Sequence, residues 1–276
     1  MAEKTAAAVE VMPEKTSAAR DRLTIVAIAI VAFALANVLH EGAGHGGACV
    51  LTGGHARVLS SVHFECDRDS RIISAGGTLV NFIVGFLCWM MLRAASPARG
   101  RLRYFLWLLM TVNLLQGGGY FLFSGVGNFG DWADVIHGLE PVWLWRAGLV
   151  VLGVVSYALL MWLSLRELRP FLSESDWRRG GAKDLTILPY ITGGVLYTVA
   201  GMLNPVGMML VAVSAAAASF GGTSGMAWMT QYLGGKLAPK IPGQAVGLRR
   251  SLAWIVAGVI VAAIFVGVLG RGVRFS

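Results

Sequence analysis

Long apolar runs alternate with short polar connections along almost the whole chain. Seven apolar spans can be drawn, at about 23–48, 72–92, 104–126, 142–165, 186–203, 205–221 and 251–270. Each is close to the roughly 20 residues that an α-helix needs to cross a bilayer. The fifth and sixth are separated only by Leu203-Asn204-Pro205 and read either as one broken helix or as a tight helical hairpin. Between the first two spans the period changes. Val58, Ser60, Val62, Phe64 and Cys66 alternate with Arg57, Leu59, Ser61, His63 and Glu65, which predicts a short strand or hairpin over 56–66. Asp67-Arg68-Asp69-Ser70 then supplies a polar turn. The expected fold is an all-α polytopic membrane protein with six to seven transmembrane helices and a short β-hairpin-like loop.

Composition agrees with that pattern. Of 276 residues, 56% are hydrophobic and only 14% charged, where soluble domains carry about a quarter. The net charge of +8 invites a nucleic-acid partner, but its distribution argues against one. Lys4, Lys15, Arg20 and Arg22 precede the first span, and Arg93, Arg99, Arg101 and Arg103 follow the second. Residues 127–141, after the third span, hold no Lys or Arg. This is the positive-inside pattern of a cell-membrane protein in contact with lipid, and it sets the N-terminus in the cytoplasm. Residues 1–22 read as a polar tail, 23–141 as a three-helix membrane core and 142–276 as an accessory bundle. The first span is too long for a signal-peptide core and lacks a clear cleavage site, so it reads as a retained helix. Cys49, Cys66 and Cys88 suggest no disulfide framework.

Against this apolar background, His40-Glu41-Gly42-Ala43-Gly44-His45 stands out. Ionisable groups at membrane depth are costly and usually functional. In a zinc-binding His-Glu-x-x-His helix, positions i and i+4 lie about 40° apart, so both imidazoles reach one ion. Here the second His is at i+5, about 140° away on a regular α-helix. A π-bulge over the permissive Gly42-Ala43-Gly44 run would absorb the extra residue. Without a bulge, Glu41 with His45, or His45 with Cys49, would pair at i, i+4. A hydrogen-bonded polar knot between helices is the non-metal alternative.

The first and third spans run the same way, so Gly127-Asn128-Phe129-Gly130-Asp131-Trp132 lies at the depth of His40 and His45. Asp131 is therefore the favoured third ligand and Asp134 the less favoured. A competing role for Asp131 is to cap a helix beginning near Trp132. In the second span, Gly77, Asn81 and Gly85 share one face at i, i+4, i+8. That face would let a neighbouring helix approach closely and hydrogen-bond to Asn81.

Taken in order, these pieces resemble the site-2 protease family of intramembrane zinc metallopeptidases. The resemblance rests on His40-Glu41 with His45, on Gly53-Gly54-His55 and the strand-like loop, on Ser74-Ala75-Gly76-Gly77-Thr78-Leu79-Val80-Asn81, and on Gly130-Asp131-Trp132. It covers roughly residues 30–135. It implies Zn2+ held by His40, His45 and Asp131, with Glu41 as general base. It also implies a metalloendopeptidase acting on a peptide in or near a transmembrane segment of a membrane protein, presented as an added strand by the hairpin. The chain departs from the family in five respects. Three residues rather than two separate Glu41 from His45, Gly77 stands where Pro is common, Gln116 replaces the Pro after Asn113, Asp131 lies much further on than usual, and the site faces outward. The alternative function is a catalytically inactive membrane scaffold or transporter-like protein with a structural or metal-binding His-Glu cluster. Residues 142–276 add no further motif. There Trp143, Trp145, Trp162, Trp228 and Trp254 read as interfacial anchors, and Asn204-Pro205 with Gly221-Gly222-Thr223-Ser224-Gly225 as a helix break or plain loop.

Overall fold

The structure is a computed structural model that describes residues 20–172, 182–205, 220–233 and 246–276. Most of the predicted tail and most of the predicted sixth span fall outside those residues. Helix α1 (Arg22–Val38) is capped by Asp21, whose Oδ1 accepts from Thr24 N at 2.8 Å and Thr24 Oγ1 at 2.7 Å. It continues without interruption through a π-helix (Leu39–Gly46) into α2 (Gly47–Leu51). Strands β1 (Ala56–Leu59) and β2 (Phe64–Cys66) follow, then α3 (Arg71–Ala94), capped by Ser70, and α4 (Gly100–Gly127). The short α5 (Asp131–Ile136) leads into α6 (Val142–Leu168). After these come α7 (Lys183–Met202), α8 (Gly225–Tyr232), α9 (Leu252–Ile264) with a π turn at Phe265–Leu269, and β3 (Val273–Arg274). Six of the described helical runs are long and apolar enough to cross a membrane.

Polar contacts between helix ends reveal how the bundle is threaded. At one end Asp21 N donates to Leu248 O, Ser251 N to Thr24 Oγ1, and Tyr104 OH to Leu185 O. Arg93 and Glu167 meet there at 3.2 Å, and Trp89 Nε1 donates to the same carboxylate. At the other end Ser61 N donates to Leu269 O, Asn37 Nδ2 to Ser61 O, and Arg146 Nε to Gly125 O. Helices α1, α4, α7 and α9 therefore run toward the hairpin end, and α3 and α6 away from it. The first and third spans indeed finish at one level.

Three features depart from the sequence expectation. The hairpin forms (Leu59 opposite Phe64), but β3 adds to β1 and gives a three-stranded sheet in the order β2-β1-β3. A two-residue strand after a long apolar helix has no periodicity to read; it exists because α9 ends beside β1. Alternation along 56–66 is also interrupted. Ser60 Oγ accepts from the backbone N of Val62 and His63, which turns the chain and buries Ser60 and Ser61. Finally, the expected absence of a disulfide is overturned: Cys49 and Cys66 are bonded. Folding the hairpin back over the end of α2 brings the two together, and only the buried Cys88 stays free.

The glycine cluster in the second half is a helix break held by tyrosines. Tyr190 OH donates to Phe220 O, Tyr157 OH donates to Gly222 O at 2.9 Å, and Gly225 N donates to Tyr157 OH at 2.8 Å. One hydroxyl thus pairs two backbone groups that the break would otherwise leave unsatisfied. Tyr157→Phe is expected to lower unfolding stability by about 1–3 kcal/mol, the cost of unpaired buried polar groups, read as a drop in melting temperature in detergent.

Candidate metal centre

A π-helix closes i→i+5 hydrogen bonds, so residues five apart come to the same face. His40 and His45 do so within Leu39–Gly46, with Nε2 atoms 3.2 Å apart and rings edge to face. The local sequence permits the wide turn, because Gly42-Ala43-Gly44 contains no β-branched side chain. Packing then requires Gly44 to stay bare. A Cβ on Gly44 would lie 2.5 Å from Gly77 Cα and 2.8 Å from Gly76 O of α3. One on Gly77 would lie 2.5 to 2.6 Å from His40 Cε1, His40 Nε2 and His45 Nε2. The backbone of α3 is thus the wall against which both imidazoles are set.

Second-sphere contacts orient the rings. His45 Nδ1 is 2.7 Å from the carbonyl oxygen of Ile73. That acceptor assigns a proton to Nδ1 and aims Nε2 at His40. The His40 ring is stacked on Tyr120 of α4, centroids 4.9 Å apart and planes 14° off parallel. Its buried Nδ1 has no hydrogen-bond partner among the described residues.

Asp131 completes the group. The capping position of α5 is occupied by Gly130, at φ 82, without a side-chain bond, so Asp131 is the first helical residue and not a cap. Its Oδ2 lies 3.3 Å from His40 Nε2 and 3.5 Å from His45 Nε2, and neither approach is aligned as a hydrogen bond. Burial pushes this carboxyl up, but the facing imidazoles of His45 and His40 outweigh it and hold Asp131 below the usual carboxylate range. Arg71, donating to His137 O at 3.1 Å, ties the far side of α5 to the start of α3.

Three donor atoms therefore form a triangle with sides of 3.2, 3.3 and 3.5 Å. An ion with ligands at about 2.0–2.1 Å in tetrahedral geometry has ligand–ligand edges of about 3.3–3.4 Å. The fit is close, and the unaligned Oδ2 is what an incomplete coordination set would present. Other sequence candidates fall elsewhere. Glu41 is buried beside the triangle, within electrostatic reach of His40, His45 and Asp131. Asp134 is exposed, its carboxyl raised by burial and by Asp131. Cys49 is committed to its disulfide. Asn113 donates to Leu109 O within α4. The close approach expected at Gly85 is made, against Leu114, but Asn81 is fully buried with neither amide atom hydrogen-bonded. Its expected bond to a neighbouring helix is absent among the described residues.

Nothing in the sequence marks Tyr120 or the Ile73 carbonyl, since an aromatic or a backbone oxygen within an apolar span looks like its neighbours. Over the outer side of the π-helix lies the sheet, with Phe64 Cε2 3.2 Å from where a Gly46 Cβ would be.

Gly77→Ala is expected to displace both imidazoles and abolish stoichiometric metal binding, whereas Gly47→Ala, which meets open space, leaves it intact; metal analysis of the two purified variants checks this. Comparison with protein-family models, with curated proteins and with solved structures gives no match.

Proposed function

We propose that the chain is an intramembrane zinc metallopeptidase, with Zn2+ held by His40, His45 and Asp131 and with Glu41 as the general base. The observation that carries this reading is the triangle of two imidazole nitrogens and one carboxylate oxygen at the edge length of a zinc tetrahedron. When bound there, zinc supplies Lewis acidity to a scissile carbonyl and to a water. The chain's own groups do the rest. Glu41 takes the proton of the attacking water and returns it to the leaving amine, and its place beside the triangle suits that task. The Ile73 carbonyl holds the His45 imidazole in place. Tyr120 shields the His40 face.

The substrate is a peptide segment in or near a transmembrane helix, because the centre sits where α1 reaches the hairpin end of the bundle. Positive-inside counting assigns that end to the non-cytoplasmic side, and the Cys49–Cys66 disulfide suits an oxidising compartment.

Two experiments test the reading. Protein purified in detergent without chelator is expected to carry about one zinc per chain, lost in His45→Ala and in Asp131→Ala, by elemental analysis. Glu41→Gln is expected to keep the zinc and abolish proteolysis, seen as the disappearance of membrane-protein fragments that cells expressing the wild type produce. Fragments unchanged by Glu41→Gln would reduce the centre to a metal-binding or structural knot in a scaffold.

A further inference from the structure

A second group of metal-ligating side chains lies outside the His-His-Asp centre, around the disulfide. The sulfurs of Cys49 and Cys66 and a carboxylate oxygen of Asp67 lie within 4.8 Å of one another. Cys66 Sγ is 3.8 Å from Asp67 Oδ1, and His55 Nδ1 is 3.1 Å from Asp67 Oδ2. Backbone geometry fixes this carboxylate: His55 N donates to Asp67 Oδ1 at 2.7 Å, and Asp67 N to His55 O at 3.1 Å. That hydrogen bond, with the neighbouring His55 ring and Arg57, keeps Asp67 ionised below the usual carboxylate range.

Both sulfurs and the Asp67 carboxylate converge beside Gly54. Gly54 faces them, and a Cβ there would lie 2.6 Å from Cys66 Sγ, 3.0 Å from Cys49 Sγ and 3.1 Å from Asp67 Oδ1. Any other residue would fill the space between the sulfurs and the carboxylate. A disulfide by itself needs no carboxylate and imidazole gathered beside it, yet two cysteines, a carboxylate and an imidazole are a complete set for a closed, four-coordinate zinc site.

We propose that Cys49, Cys66, Asp67 and His55 form a redox-switched zinc site, in which Zn2+ replaces the disulfide as the cross-link between α2 and β2 when the cysteines are reduced. A dithiol reductant delivers two electrons and two protons, the S–S bond breaks to two thiols, and the reductant leaves as its own disulfide. Binding of Zn2+ then displaces both thiol protons. Two thiolates, one carboxylate and a neutral imidazole around Zn2+ leave one negative charge. Arg57, its guanidinium 3.8 Å from Asp67 Oδ2, sits where it offsets that charge. In either state the end of the site-bearing helix stays clamped to β2, whose Phe64 covers Gly46 next to His45. The buried Cys88 is not drawn in.

This inference does not depend on the His-His-Asp reading, and one experiment separates them. Zinc is measured in the full-length detergent-purified chain after zinc loading and removal of excess, untreated and after reduction with a phosphine. Reduction is expected to add one zinc per chain, in the wild type and in His45→Ala alike. The added zinc is lost in Cys66→Ser. Its affinity falls about tenfold or more in Asp67→Asn, a variant that leaves the disulfide intact and so guards against misfolding of the cysteine variant. Cobalt added to the reduced wild type is expected to show a thiolate-to-metal charge-transfer band, which the His-His-Asp centre cannot give. No added zinc on reduction, added zinc that survives Cys66→Ser, or cobalt bound without the band would each overturn the proposal. Zinc missing only from the untreated protein would instead count against the His-His-Asp centre.

Discussion

The whole arrangement depends on one close backbone crossing. Gly44 of the π-helix and Gly76-Gly77 of α3 meet with no side chain between them, nearer than any Cβ would permit. Because nothing larger than hydrogen separates the two backbones, His40 and His45 lie directly against α3, and the carbonyl of Ile73 is within reach of His45 Nδ1. Membrane helices gain little from hydrophobic attraction to one another and associate through such small-residue contacts. Here the contact also sets where the imidazoles sit, since a Cβ on Gly77 would strike both.

The π-helix and the crossing support each other. An isolated π turn is poorly favoured, and a tight crossing on α3 supplies packing that a regular α-helix with the same residues would not make. Asp131 reaches the group from the opposite side because α4 ends at the same level as the π-helix. Asn128 in the left-handed conformation and Gly130 at φ 82 then turn the chain back, so that α5 starts with its first carboxylate facing inward. Burying these polar groups is tolerable because they face one another. Asn81 and His40 Nδ1 are buried without hydrogen-bond partners among the described residues, which costs stability.

The second half of the chain is more than an appendage. Helices α7 and α9 flank α1, with Tyr197 OH bonded to Phe33 O at 2.6 Å, and the chain beyond α9 joins the sheet that covers the site. The cover is therefore held at three places: by the disulfide to α2, by Asn37 to the turn at Ser61, and by β3 to β1.

Much of this was legible in the residues themselves. Hydrophobic period and length locate the helices long and apolar enough to cross a membrane, and alternation locates the hairpin. The His40–His45 spacing demands a π turn if both rings are to meet, and equal helix depth points to Asp131 over more distant carboxylates. These are local properties, set by a few neighbouring side chains or by counting along an axis. Tertiary structure alone decided which surfaces meet. Tyr120 against His40, Ile73 under His45, Cys49 with Cys66, β3 beside β1 and the unpaired Asn81 each depend on how separate helices rotate and cross. Rotation and crossing are determined by the summed packing of many small contacts, which no single motif encodes.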